Sequence, residues 1–217
     1  MATNSGPDVR RNGWRVWSRI IIGVTAFGFG WLGASTSYSP PESQRDESSA
    51  AAAAIHAVIE QIIRVESDGD PTAKNKRSSA TGLGQFLDET WLDMIRAHRP
   101  DLAKGRSQAE ILELRRDAKI ARHITARFTE RNAEMLRKRS LPVTPGTLYL
   151  AHFAGGAGAV AILSAMENAD AALVMATADA TGRTKREKII KANPFLERFT
   201  VADLRNWANR KMQVPGS

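Results

Sequence analysis

Apolar residues recur at helical spacing along most of the chain from about residue 48 to residue 212. In the first such segment, five of them follow the i, i+3, i+4, i+7, i+8 spacing: Ile55, Val58, Ile59, Ile62 and Ile63. This spacing places all five on one face of an amphipathic helix, the face that packs against a protein core. Val, Ile and Thr rarely alternate with polar residues, as a half-buried strand requires. The pattern therefore predicts an all-α protein with one helical domain.

Turn and cap residues predict where the first helices begin and end. The first helix is expected to start at Ser48 or Ser49, either of which can act as N-cap. The turn sequence Asp-Gly-Asp-Pro, at residues 68–71, ends this helix. A second helix is expected from about Gly82 to the residue before Pro100, because its apolar positions again follow a helical period.

Three more helix starts carry recognisable caps: Ser107 with Glu110, Thr144 before Pro145, and Thr200 with Asp203. The helix that opens at Ser107 is expected to continue to about Lys138. The segments "GTLYLAHF" and "GAGAVAILSAME" are expected to form separate short helices, followed by another in "DAALVMATADA". The helical domain as a whole is assigned to residues 48–212.

The N-terminal region has the layout of an export signal. Four arginines and one acid precede a 15-residue apolar run from Ile20 to Ala34, which is shorter than the roughly 20 residues of a comfortable membrane-spanning helix. We expect residues 1–35 to be a signal peptide or a retained inner-membrane anchor, with a buried core helix as the alternative. Residues 36–48 are expected to form a flexible linker. The predicted location is the periplasm.

The amino-acid composition limits the kinds of site and partner that the protein can have. The chain has no cysteine, which excludes disulfides, thiolate metal sites and cysteine nucleophiles. Its formal charge of +8 suits polyanions in general, but no recognition motif for nucleic acid accompanies the charge, and no nucleic-acid partner is expected. His56, His98 and His123 share no ligand spacing, so no metal site and no cofactor are expected.

A carboxylate, Glu66, continues the apolar stripe of the first helix. It lies three residues after Ile63 and four after Ile62, in the last turn before the helix ends. Burial and the negative end of the helix dipole both disfavour the ionised form, so we expect a raised pKa. A protonated carboxyl group suits a general acid in glycosidic cleavage. The alternative is a structural role, in which Glu66 caps a loop or pairs with an arginine.

Small residues precede the next apolar start, in "NKRSSATGLGQF". They allow a backbone to approach a ligand or another segment closely. Gln85 offers both a donor and an acceptor for sugar hydroxyl or acetamido groups.

The two segments together, "ESDGDPTAKN…SSATGLGQF", resemble the signature of the soluble lytic transglycosylases, whose catalytic domain has a goose-lysozyme-like fold. Glu66 and Ser67 match the Glu-Ser pair of that signature. The second element, Gly-Leu-Met-Gln, is matched by residues 82–85, with Gly84 in place of Met. A third element, Ala-Tyr-Asn-Ala-Gly, is similar to "AHFAGG", where His152 and Phe153 replace Tyr and Asn.

The resemblance covers residues 55–165 and implies a single lysozyme-like domain. It implies a peptidoglycan lytic transglycosylase that cleaves the MurNAc–GlcNAc β-1,4 bond and leaves a 1,6-anhydromuramyl end. Glu66 would act first as acid and then as base, without a second carboxylate. Further residues are expected to contact the glycan strand: Ser67, Gln85, Tyr149, His152 and Phe153.

Two alternatives remain at this point. The same fold and acid could activate water, which would make the protein a hydrolytic muramidase or chitinase. The substitutions in the third element favour another alternative, in which the protein binds the cell wall or helps to assemble it without cleaving it. Enzymes of the family often open the wall for a secretion or conjugation apparatus, and such an apparatus is a candidate partner besides peptidoglycan.

Overall fold

The computed structural model describes residues 42–213, with side chains from residue 53 onward. The predicted signal or anchor segment, residues 1–35, lies outside the described residues. The described chain contains eight α-helices and no β-strand, so the all-α prediction is confirmed. The helices are α1 (Glu42–Ser67), α2 (Asp88–His98), α3 (Gln108–Glu113), α4 (Ala118–Lys138), α5 (Pro145–Ser164), α6 (Ala171–Thr177), α7 (Arg186–Ala192) and α8 (Val201–Lys211). Short 3-10 helices span Pro100–Ala103, Leu114–Arg116 and Pro194–Arg198.

Helix α1 begins earlier than expected. It starts at Glu42 rather than at Ser48, so residues 42–48, expected as linker, are helical. The sequence between Pro41 and Gly69 contains no Gly or Pro and is rich in strong helix formers, which permits the extension. The helix ends where the turn sequence predicted, because Asp68 and Gly69 adopt positive φ angles of 53° and 79°.

Helix α2 begins later than expected. Residues 82–87 form a buried loop, and the helix starts only at Asp88. Within that loop Gly82 has φ 78° and Gln85 has φ 48°, both incompatible with an α-helix. The prediction of a helix start near Gly82 is therefore wrong. The apolar residues of the loop are buried by contacts with other elements. Their spacing in the sequence therefore resembles that of a helix, although the backbone is not helical.

The long helix expected from Ser107 to Lys138 is two helices. The capping box at Ser107 and the end at Lys138 are confirmed. Between them, a 3-10 turn at Leu114–Arg116 leads to Asp117, whose carboxylate accepts from two backbone N–H groups of α4 at 2.9 Å. A short carboxylate competes in this way for backbone donors and starts a new helix.

The caps predicted at Thr144 and Thr200 are confirmed as capping boxes of α5 and α8. The break predicted after "GTLYLAHF" occurs as a kink inside α5, where Gly155 has φ 73° and ψ 165°. Helix α7 and the 3-10 turn after it were not predicted. Of the helices in the described chain, only α5 is long and apolar enough to cross a bilayer, and 72% of its most apolar stretch is buried inside the protein.

The buried apolar residues fall into two clusters that meet at α1. The α5 cluster consists of residues of α5, α6 and α8 together with single residues of other elements: Val58, Ile62, Ala133, Leu136, Ile189, Leu196 and Met212. The α2 cluster consists of residues of α2, α4 and the loop before α2 together with Ile59 and Ile63. Each fully buried aliphatic side chain contributes about 1.5–3 kcal/mol. One helical stripe thus serves both clusters, and the C-terminal end of α1 lies at their seam.

Candidate active site

Glu66 lies in the last turn of α1, one turn beyond the residues that separate the two clusters. Ile62 belongs to the α5 cluster and Ile63 to the α2 cluster. Glu66 follows them by four and three residues and is only 5% exposed. The carboxyl group is therefore buried at the seam, as the helical spacing predicted. The expected rise in its pKa stays a prediction.

Ser67 joins the end of α1 to the Gly-Leu-Gly-Gln loop. Its hydroxyl lies 3.1 Å from the carbonyl oxygen of Ile63 in its own helix and 3.0 Å from that of Leu83. With a single proton, the hydroxyl donates to one carbonyl or is shared between both. The residue is buried, so the contact fixes the loop against the turn that carries Glu66.

Gln85 lies inside the loop and holds it closed. Its amide nitrogen donates to the carbonyl oxygens of Ala73 (3.0 Å) and Gly82 (2.9 Å). Both amide hydrogens are therefore used within the loop, and the side chain is completely buried. Among the described residues, the Oε1 atom of Gln85 has no hydrogen-bond donor. The structure thus places this predicted sugar-binding residue in a loop-closing position.

Arg115, which the sequence analysis missed, fixes the other end of the loop. Its guanidinium is buried and donates through Nη1 to the carbonyl oxygens of Ser79 (2.9 Å) and Phe86 (3.1 Å) and to Asp88 Oδ1 (2.6 Å). Charged donors to buried carbonyls are among the stronger hydrogen bonds in proteins. In the sequence, Arg115 stands beside the more exposed Arg116, and nothing local distinguishes the two.

His152 connects the kinked helix α5 to the same loop. Its Nε2 atom lies 2.9 Å from the carbonyl oxygen of Gly84. Its ring packs at 5.5 Å from the ring of Phe86 and at 5.4 Å from that of Phe128, both edge to face. The second and third sequence elements are therefore brought together. These contacts match the role of a residue that joins a helix to a loop.

Gly84 stands where the signature that the sequence resembles has Met, and its surroundings leave no room for a larger side chain. A Cβ atom at this position would lie 2.6 Å from the ring of Phe86 and 2.7 Å from the hydroxyl of Thr125. A methionine could therefore not be accommodated without moving the ring that packs on His152. Gly84 and His152 therefore belong to one local packing arrangement around the ring of Phe86.

Tyr149 and Phe153 lie on the other side of the seam, in the α5 cluster. Their ring centroids are 5.4 Å and 4.9 Å from that of Trp207 on α8, and Phe153 is also 6.0 Å from Phe195. Both are buried. The segment 149–153 therefore divides, with His152 facing the α2 cluster and the two aromatic residues packed against α8.

Asn132 is a second polar residue that sequence reasoning missed at the seam. It lies four residues after Phe128 and four before Leu136 on α4, and all three are buried. Its Oδ1 atom is 3.9 Å from where a Cβ of Gly156 would lie, beside the kink of α5. Its Nδ2 atom has no hydrogen-bond partner among the described residues. The signal was the same as for Glu66, a polar residue where the stripe requires an apolar one.

The carboxylates that follow Glu66 in sequence take part in local structure. Asp70 Oδ1 accepts from the backbone N–H and the hydroxyl of Thr72, both at 2.7 Å, and these bonds hold the pKa of Asp70 below its usual value. Asp88 pairs with Arg115. In the part of the chain that the structure describes, no group of three or more His, Asp and Glu side chains could hold a metal ion.

In comparisons with known proteins, no protein-family model matches the chain and no curated protein matches it. The arrangement at the seam can nevertheless be stated in chemical terms. It is one buried carboxyl group at a helix end, with a hydrogen-bonded loop on one side and a kinked, glycine-containing helix on the other.

Proposed function

We propose that the protein is a peptidoglycan lytic transglycosylase with a lysozyme-like helical domain, exported to the periplasm. Its substrate would be the MurNAc–GlcNAc β-1,4 bond of glycan strands. The observation that carries the proposal is the placement of Glu66, a carboxyl group buried at the seam of two apolar clusters. An apolar site favours the protonated carboxyl group that a general acid requires.

In the proposed reaction, Glu66 donates its proton to the glycosidic oxygen as the bond from C1 to that oxygen breaks. The 6-hydroxyl of the muramic acid residue then attacks C1, and its proton passes to the Glu66 carboxylate. The product is a 1,6-anhydro ring, and the carboxyl group is regenerated without water. No second carboxylate is needed, which agrees with the structural roles of Asp70 and Asp88.

The other predicted site residues act in this proposal by holding the site in shape. Ser67 fixes the loop to the helix end, Gln85 closes the loop, and His152 ties α5 to it. Positioning of this kind matters because a general acid must lie within hydrogen-bonding reach of the leaving oxygen.

A second candidate function is non-catalytic binding to the cell wall. The observation that favours it is the burial of Gln85, Tyr149 and Phe153, the side chains expected to contact sugars. Side chains engaged in internal contacts offer little to a substrate. With these side chains buried, the protein would hold peptidoglycan through its basic surface, whose net charge is +8, and would not cleave it at the seam.

The two candidates are separated by an assay of peptidoglycan cleavage and binding with the full chain. The test variant is Glu66→Gln, which keeps the size of the side chain and removes its acidity. The matched control is Glu60→Gln on the same helix, where Glu60 pairs with Arg122 at the surface.

We expect the wild type and the Glu60→Gln variant to release soluble fragments, and the Glu66→Gln variant to release at least 100-fold less. Binding of all three proteins to peptidoglycan without any release would support the second candidate. Equal release by Glu66→Gln and wild type would show that Glu66 is not the acid.

A further inference from the structure

Residues 183–191 carry an excess of positive charge that the proposed active site does not use. The segment holds five basic residues and one acid, Glu187. Arg186 pairs with Asp170 at 2.6 Å. The other four cations are exposed, and none of them forms an ion pair within the described residues: Arg183, Lys185, Lys188 and Lys191.

The cations of α2 and α4 differ in this respect. Arg96 pairs with Asp93, Arg127 with Glu130, and Lys138 with Glu134. Each of these three cations is balanced by a carboxylate three or four residues away on its own helix. Residues 183–191 differ from these pairs because four exposed cations within nine residues have no carboxylate partner among the described residues.

Two exposed apolar side chains belong to α6, which packs on α7, and to the turn before α6. Among the described residues, Met166 (77% exposed) and Leu173 (50% exposed) are the large hydrophobic residues that face solvent. Leu173 is in the first turn of α6, and its backbone N–H donates to Asp170 Oδ1 at 2.8 Å. Asp170 Oδ2 accepts from Arg186 Nε at 2.8 Å. One carboxylate thus joins the turn of Leu173 to the first residue of α7.

We propose that this surface, called here the α6–α7 face and defined by Met166, Leu173 and residues 183–191, docks on a bilayer that contains anionic lipids. Lysine and arginine side chains are attracted to anionic headgroups, and adjacent apolar side chains can enter the acyl boundary. A soluble polyanion would be bound by the cations alone and would leave Met166 and Leu173 in water.

The sequence contains a second element suited to the same partner. The apolar run from Ile20 to Ala34 is too short for comfortable insertion alone. Two weak membrane signals on one chain bind far more stably than either signal alone. Docking through the α6–α7 face is independent of the proposed enzymatic activity, because it uses none of the residues at the seam.

The absence of cysteine from the chain allows a local test on the full protein. A Leu173→Cys variant is labelled with an environment-sensitive fluorophore and mixed with vesicles of phosphatidylcholine alone or with added phosphatidylglycerol. A label at Lys104→Cys, exposed beside the α2 cluster, is the control. We expect a blue shift of the residue 173 label with anionic vesicles only, reversed by about 0.5 M salt, and no shift of the label at residue 104.

Charge variants in the labelled Leu173→Cys background complete the test. Neutralising Lys185, Lys188 and Lys191 to Gln should reduce vesicle affinity at least tenfold, whereas neutralising the exposed Lys104, Lys119 and Lys138 to Gln removes the same charge and should change it less than twofold.

Three outcomes would overturn the proposal: a label at residue 173 that stays in water, an equal shift on both kinds of vesicle, or binding of a soluble polyanion without any vesicle-dependent shift. Peptidoglycan release should be equal in both triple variants, so failure of this proposal is distinguishable from failure of the enzymatic one.

Discussion

The two sides of the candidate site are held by different forces. The loop of residues 68–87 is fixed by hydrogen bonds from Ser67, Gln85 and Arg115 to backbone carbonyls. The α5 segment of residues 149–153 is fixed by the packing of aromatic rings against Trp207. Hydrogen bonds are directional, whereas ring packing supplies mainly buried area. The loop therefore sets the geometry around Glu66, and the α5 segment is expected to supply more of the stability.

The largest effect on stability is expected from Phe153→Ala in the α5 segment. Loss of a fully buried ring and the resulting cavity should lower the free energy of unfolding by about 3–5 kcal/mol. Phe199→Ala is the control, because Phe199 lies at the partly exposed rim of the same cluster. Urea unfolding measures both. If Phe153→Ala cost no more than Phe199→Ala, the α5 segment would not be the main source of stability.

A smaller loss is expected from Arg115→Gln in the loop. The variant leaves the buried carbonyl group of Phe86 and the partly buried carbonyl group of Ser79 without a charged donor, which should cost about 2–3 kcal/mol. Arg116→Gln is the adjacent control and should cost less than about 1 kcal/mol, because Arg116 pairs with Glu113 near the surface. Hydrogen exchange should increase in residues 73–87 of Arg115→Gln and not in α5. An equal increase of hydrogen exchange in residues 73–87 and in α5 would show that the bonds of Arg115 do not hold the loop alone.

A pair of glycine substitutions tests the rigidity of the two sides directly. Gly84→Ala would place a Cβ against the ring of Phe86, whereas Gly156→Ala in α5 would meet the end of the Met135 side chain at 2.6 Å. Methionine is flexible and can move aside. We expect a loss of about 1–3 kcal/mol for Gly84→Ala and a smaller loss for Gly156→Ala in thermal unfolding. The reverse order would mean that the loop yields more easily than α5.

The smallest effect is expected from Asp70→Asn. Hydrogen bonds from Thr72 lower the pKa of Asp70 in the folded state, so its contribution to stability is present above the unfolded pKa of about 4. That contribution is lost as pH falls through the lower folded pKa. The melting temperatures of wild type and Asp70→Asn should therefore differ at pH 6 and converge as the pH falls through the lowered pKa of the folded state. A difference that persists at low pH would exclude this linkage.

The sequence was sufficient for features determined by neighbours along the chain. The caps at Ser107, Thr144 and Thr200 follow from side chains that satisfy nearby backbone N–H groups. The burial of Glu66 follows from the phase of a single helix. In each case the interaction partners lie within a few residues, so the local pattern carries the information.

Features determined by distant contacts could not be predicted in this way. The spacing of apolar residues predicts a helix start in the loop at residues 82–87, but the positive φ angle at Gln85 is held in place by bonds to Ala73 and from Arg115. The inward position of Tyr149 depends on Trp207, 58 residues away in the sequence. Asn132, in contrast, was predictable. Like Glu66, it is a polar residue at a helix position where the spacing calls for an apolar one.

The mass of the products released from purified peptidoglycan shows whether Glu66 is the acid of a transglycosylase. Release with ends of 1,6-anhydromuramic acid, one water lighter than reducing ends, is predicted for the wild type, and no such ends are predicted for Glu66→Gln. Reducing ends from the wild type, or anhydro ends from Glu66→Gln, would contradict the account.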